Sequence, residues 1–142
     1  VPDLCTYDYA IVRVVPRVER GEFINAGVIL VCAARSFLKA QVELDEARLR
    51  LLDPAADGPA LGAALAAIPA ICAGGAGSGP IGELPLRARF DWLVAPRSTS
   101  VQVSPVHSGR CRDLDAALQR LMDRMVRPTG ASPGTAAAAT VA

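Results

Sequence analysis

Strand-like patterns of side chains fill the first third of the chain. Over Tyr7–Val15, the residues Tyr7, Tyr9, Ile11, Arg13 and Val15 fall on one side, and Asp8, Ala10, Val12 and Val14 on the other. A period of two is what a strand produces, and Pro16 ends it. Ala26–Cys32 is continuously apolar, which suits a central strand covered on both faces. Phe37–Leu44 alternates again, with Leu38, Ala40, Val42 and Leu44 inward and Lys39, Gln41 and Glu43 outward. The Ala33–Ser36 link is short enough for an antiparallel hairpin. Three sequential antiparallel strands are therefore predicted for the first half.

The pattern then changes to helical spacing. Asp45 is placed to cap a short helix that carries Leu49 and Leu52 and stops at Pro54. Gly58–Cys72 reads as a second helix, with Leu61, Leu65 and Ile68 on one face and Pro69 disturbing its last turn. Leu86–Val94 is a third, its face made by Leu86, Phe90 and Leu93, with Trp92 to one side. Thr99–Val103 is read as a fourth strand. Asp113 caps the clearest helix, Leu114–Val126, whose stripe is Leu114, Leu118, Leu121 and Met125. This order predicts an α+β fold: an antiparallel sheet of about four strands with helices packed on one face. The other face would need a long loop or a partner, and Tyr7 and Tyr9 are candidates for it. Residues 1–127 form the expected single domain. Residues 128–142, rich in Ala, Thr, Pro and Gly, are expected to be a disordered tail.

Composition sharpens this picture. Apolar residues make up 51% and charged residues only 20%, which excludes general disorder and leaves few charges to cover the surface. An exposed apolar area, and with it a protein partner, is the consequence. The net charge of +1 argues against nucleic acid as a partner through global steering. Lys39 is the sole lysine among fifteen basic residues, and arginine favours bidentate contacts with carboxylate or phosphate. Cys5, Cys32, Cys72 and Cys111 are dispersed without a C-x-x-C pair, so free thiols in a reducing cytoplasm are expected and a zinc site is not. No apolar stretch is long enough to span a membrane, and no basic region followed by an apolar run opens the chain.

Two polar loops carry the candidate chemistry. Arg13–Gly27 brings Arg13, Arg17, Arg20, Glu22 and Asn25 between two apolar runs, and Pro96–Ser100 brings Arg97 and Ser98. If both lie at one end of the sheet, their guanidinium and hydroxyl groups converge on an anion. Loop-fixing ion pairs are the alternative, and spacing alone leaves both open. His107 is the one natural base near neutrality, and general-base activation of Ser104 or Ser108 would require direct contact with it. A structural histidine in a loop is the simpler account. The glycines between Gly74 and Gly82 lack the Lys and Ser or Thr of a phosphate loop and follow a helix rather than a strand. They are read as a flexible crossover. No catalytic residue, metal ligand or cofactor is assigned.

Several blocks also recur in a known order: Tyr7-Asp8-Tyr9-Ala10, Val14-Val15-Pro16-Arg17, Gly21-Glu22-Phe23-Ile24-Asn25-Ala26-Gly27-Val28, Pro80-Ile81-Gly82, Phe90-Asp91-Trp92-Leu93 and Ala95-Pro96-Arg97-Ser98-Thr99. Together they make the chain resemble the bacterial DUF3037 family of small uncharacterised proteins over roughly Tyr7–Val126. The resemblance implies a small cytoplasmic protein with no established activity, and a HipA-like kinase-fold protein as a partner. Glu22, Asn25, Arg97 and Ser98 lie inside the family-like blocks. The functional expectation is a non-enzymatic accessory or protein-interaction domain. The alternative is a small-anion or nucleotide-phosphate binding protein, with enzymatic activity left open, using the arginine-bearing loops.

Overall fold

β1 (Cys5–Val14) is the strand around which the sheet is assembled. In the computed structural model, which describes residues 3–129, one edge of β1 pairs antiparallel with β2 (Ile24–Cys32), and β2 pairs antiparallel with β3 (Phe37–Val42). The other edge is shared by two short strands: β4 (Val101–Val103) pairs with Val12–Val14, and β5 (His107–Cys111) with Cys5–Tyr9. The sheet thus has five antiparallel strands in the order β3-β2-β1-β4, with β5 beside β4 along the same edge. The α+β class and the antiparallel sheet stand as expected. The tail expected at 128–142 falls, apart from Pro128 and Thr129, outside the described residues.

β5 is an addition, since Cys111 is its one strongly apolar position. It holds a glycine because Tyr7 lies across it: a Cβ on Gly109 would meet the Tyr7 ring at 2.5 Å. Gly27 is held for a similar reason, since a Cβ there would approach the Gln41 carbonyl oxygen at 2.6 Å. Beside it Ala26 is an extra residue in the β1–β2 ladder, where Val12 pairs with Gly27 but Arg13 pairs with Asn25. This bulge turns Asn25 onto the same face as Arg13.

Helices cover both faces of the sheet, not one. On one side α1 (Glu46–Leu52), α2 (Gly58–Ala73) and α4 (Leu86–Leu93) bury Leu49, Leu65, Ile68 and Phe90 against Val12, Val14, Ile29 and Val31. On the other, α5 (Leu114–Leu121) and a following π-helical turn (Met122–Val126) bury Leu118, Leu121, Met122 and Val126 against Tyr7, Ile11, Val28 and Leu30. The unbroken apolar run of β2 requires this arrangement, because both of its faces are apolar. The helix expected over Leu114–Val126 is continuous but changes pitch: the Arg127 N–H donates to the Met122 carbonyl, 2.9 Å away and five residues back. The glycine crossover contains a single-turn helix, α3 (Gly79–Gly82), and Gly74, Gly75, Gly77 and Gly79 all take positive φ.

Arginines close the ends of these elements. Arg89 on α4 donates to the Ile71 and Cys72 carbonyls at the C-terminus of α2, where cations are favoured. Arg127 joins Glu43 at 2.7 Å and Asp123 at 2.6 Å, tying the π-helical turn to the chain leaving β3. The Arg127 hydrogen bonds hold the Glu43 carboxyl below its ordinary range. A depressed carboxylate adds stability above its unfolded pKa and loses it as pH falls through the folded value. Acid titration of unfolding should therefore show a loss over the acidic side of the glutamate range, smaller in Arg127→Ala; the partly exposed pair is worth under about 1 kcal/mol. Leu118→Ala should cost about 2–5 kcal/mol in denaturant unfolding, with the slope of the transition unchanged.

Candidate functional site

The two arginine-bearing loops lie at one end of the sheet, because the Val15 N–H donates to the Ser100 carbonyl at 2.7 Å. Their guanidinium groups are nonetheless engaged separately. Arg17 lies 3.8 Å from the carboxylate of Asp53, a buried residue that also accepts from the Ala55 N–H. Arg20 pairs with Glu22 at 2.6 Å within the loop, and their hydrogen bond raises the arginine and lowers the glutamate pKa. Arg97 donates to the Trp92, Leu93 and Ala95 carbonyls and stacks on the Trp92 ring at 4.4 Å. It closes α4 as Arg89 closes α2. Ser98 is exposed beside it. Among the described residues no hydrogen bond or ion pair joins Arg17 or Arg20 to Arg97 or Ser98.

Arg13 and Asn25 are brought together instead, as cross-strand partners on the α5 face. The Asn25 amide donates to the Met125 carbonyl at 2.9 Å, fastening β2 to the π-helical turn. Arg13 lies over the Phe23 ring at 4.2 Å, and its Nε has no hydrogen-bond partner among the described residues. On the same face the exposed His107 ring packs at a 39° tilt against Tyr9, with centroids 5.6 Å apart.

The hydroxyls that flank His107 in sequence turn elsewhere. Ser104 is only 4% exposed, accepts from the Ile11 N–H at 2.8 Å and donates to the Pro105 carbonyl. Ser108 donates to Asp8 at 2.7 Å on the opposite face of the sheet. That bond, with the Arg87 ion pair, holds the Asp8 carboxyl below its ordinary range. A serine–histidine dyad is not assembled here. Cys72 sits in the α2 core, where burial pushes its thiol up to about 12. Among the described residues no group of three His, Cys, Asp or Glu side chains is placed to hold a metal.

A surface that the sequence reading did not single out lies at the β4 edge. An apolar groove of about 160 Å³ runs between α2, α4 and β4, lined by Ala67, Ile68, Ile71, Trp92, Val101 and Val103. Trp92 is 41% exposed at its margin. The ladder fixes which β4 peptide groups face outward. Ser100 accepts from Val15 and Ser104 donates to Ile11, so Gln102 faces Arg13 and the intervening valines turn their peptide groups away from β1. The Thr99 hydroxyl already donates to the Val101 carbonyl. The Val103 N–H and C=O are left at the edge. A signal for this surface was present: Gly58–Ala73 contains no charged residue, although many of its alanines are exposed. A surface helix ordinarily carries a polar face.

A family model described as a protein of unknown function, DUF3037, matches residues 9–126, and the chain belongs to that family. Among the curated proteins and the solved structures, nothing matches the chain. Membership brings no activity with it, so the chemistry rests on the geometry. Ser104→Ala would leave the Ile11 N–H without a partner in the core. It should cost about 1–3 kcal/mol in thermal or denaturant unfolding, whereas His107→Gln should change stability by less than about 0.5 kcal/mol.

Proposed function

We propose that this DUF3037 chain is a non-enzymatic accessory domain that binds an extended segment of a protein partner along β4. The observation that carries this reading is the outward peptide pair of Val103 beside an apolar groove. An added strand would hydrogen-bond there, and its alternate side chains would enter the groove. The uncharged, alanine-rich outer surface of α2 supports the same reading, since it lets another chain approach closely without desolvating charge. Trp92, held flat by Arg97, supplies the large amphipathic ring that dominates binding hot spots. A HipA-like kinase-fold protein, implied by the family resemblance, is the partner to test first.

β4 is only three residues long. A short edge limits unspecific strand pairing, so the groove, not the backbone, would provide most of the discrimination. The proposal places the protein in the cytoplasm, in keeping with four cysteines that are dispersed in sequence, free and buried. Among the described residues no helix is long and apolar enough to cross a membrane.

Val103→Pro removes the outward N–H while leaving the bonds to β1 intact. Titration of the kinase-fold protein should give binding about tenfold weaker for this variant, and Trp92→Ala should weaken it at least as much. Full-strength binding by both variants, with circular dichroism unchanged, would exclude this surface. Wild-type protein that never binds the kinase-fold protein would exclude the partner.

A further inference from the structure

The sheet face under α5 has a second half with a different chemistry. α5 and the π-helical turn cover β2, β3 and, on β1, Tyr7 and Ile11, and along their β1 flank β1 and β5 present Tyr9, Arg13 and His107. The flanks of α5 are sorted by charge. Asp115 and Asp123 lie toward β3, where they pair with Lys39 and with Arg127. Arg120 and Arg124, one turn apart, lie on the other side of the buried stripe from Asp115, which places them on the flank away from β3, toward β1. Both are exposed, and neither takes part in an ion pair or side-chain hydrogen bond among the described residues.

Arg13 completes the set from the strand side. It is half-buried, it stacks on Phe23 rather than on a carboxylate, and Glu22, the acid next to Phe23 in the chain, is engaged by Arg20. The three guanidiniums lie on the face that carries one aromatic surface: Tyr9 packed at a tilt against His107 along β1 and β5, and Phe23, 43% exposed, at the far end. A carboxylate-bearing peptide would use the cations but leave the rings idle. A chain of stackable bases joined by phosphates uses both.

We propose that this half of the sheet face binds single-stranded nucleic acid, with bases stacked on Tyr9 and His107 and phosphates held by Arg13, Arg120 and Arg124. The chain's net charge of +1 does not oppose this, because the α5 acids are paired on the opposite flank. Affinity would come from a local patch and would be modest. Duplex would bind poorly, since its bases are already stacked on each other. This site is on the opposite face from the α2 groove and does not depend on the partner proposed there.

Fluorescence anisotropy with labelled oligo-dT and oligo-U of about twelve nucleotides tests it on the full chain. Three phosphate contacts to a single strand give a salt slope near −2, so affinity should fall about 20-fold between 50 and 200 mM salt. The double variant Arg120→Gln/Arg124→Gln alters only exposed side chains, and it should bind at least about tenfold more weakly and with a shallower slope. Tyr9→Leu should weaken binding without changing the slope, which separates stacking from charge. The proposal is overturned by no binding of either oligonucleotide at 50 mM salt, or by binding that the arginine variants leave intact. Equal affinity for a duplex or for a poly-glutamate peptide would overturn it as well, by showing that the surface reads charge alone.

Discussion

One buried hydroxyl lets a single strand carry the whole sheet. β1 is bonded along one edge to β2, but its other edge belongs to β5 for half its length and to β4 for the rest. Where the two meet, the chain turns through Pro105 and Val106 and the ladder fails. The orphaned Ile11 N–H would lie in the core, where an unpaired amide is costly. Ser104 Oγ takes its place in the ladder. Because the break is closed in this way, β5 can bring His107 beside Tyr9 while β4 ends as a free edge next to α2. The β4 edge and the contact between Tyr9 and His107 both depend on that junction.

Arginine serves two purposes in this molecule, and burial distinguishes them. Arg89 and Arg97 point inward at the C-termini of α2 and α4, satisfying carbonyls that no helical N–H can reach. Arg17, Arg20, Arg87 and Arg127 each meet a carboxylate. Arg13, Arg120 and Arg124 are among those that do neither within the described residues, and these three share one face. A near-neutral total charge thus conceals a local separation, since Asp115 and Asp123, the acids of the last helix, are both paired with cations on its far flank.

Much of the fold was legible because periodicity reports burial directly. The alternation of Tyr7–Val15 and Phe37–Leu44, the apolar run of Ala26–Cys32 and the stripe from Leu114 to Leu121 all became the elements their spacing implied. β5 was not legible, because Ser108 and Gly109 are poor strand formers held in place by Asp8 and Tyr7. Covering both faces was implicit in β2 but lost when only one apolar face was counted on its neighbours. Of the candidate residues, Arg13 and Asn25 meet because of a bulge at Ala26 that no local pattern announces. Arg97 was prominent for its position after α4, which its capping role accounts for. The groove beside β4 was hidden because alanine reads as filler, although a helix without one charge is unusual for a surface position.

The change of pitch after Leu121 has an evolutionary consequence. A π-helical turn is an α-helix carrying one extra residue, so Met122–Val126 accommodates an insertion without disturbing the helix before it. Deleting a single residue within this turn would restore regular pitch and rotate everything that follows by roughly 100°. Met125 would leave the amide of Asn25, and Arg127 would swing away from Glu43. Related chains should therefore keep the length of this segment more strictly than its sequence, and a natural one-residue gap there should be accompanied by loss of the asparagine on β2.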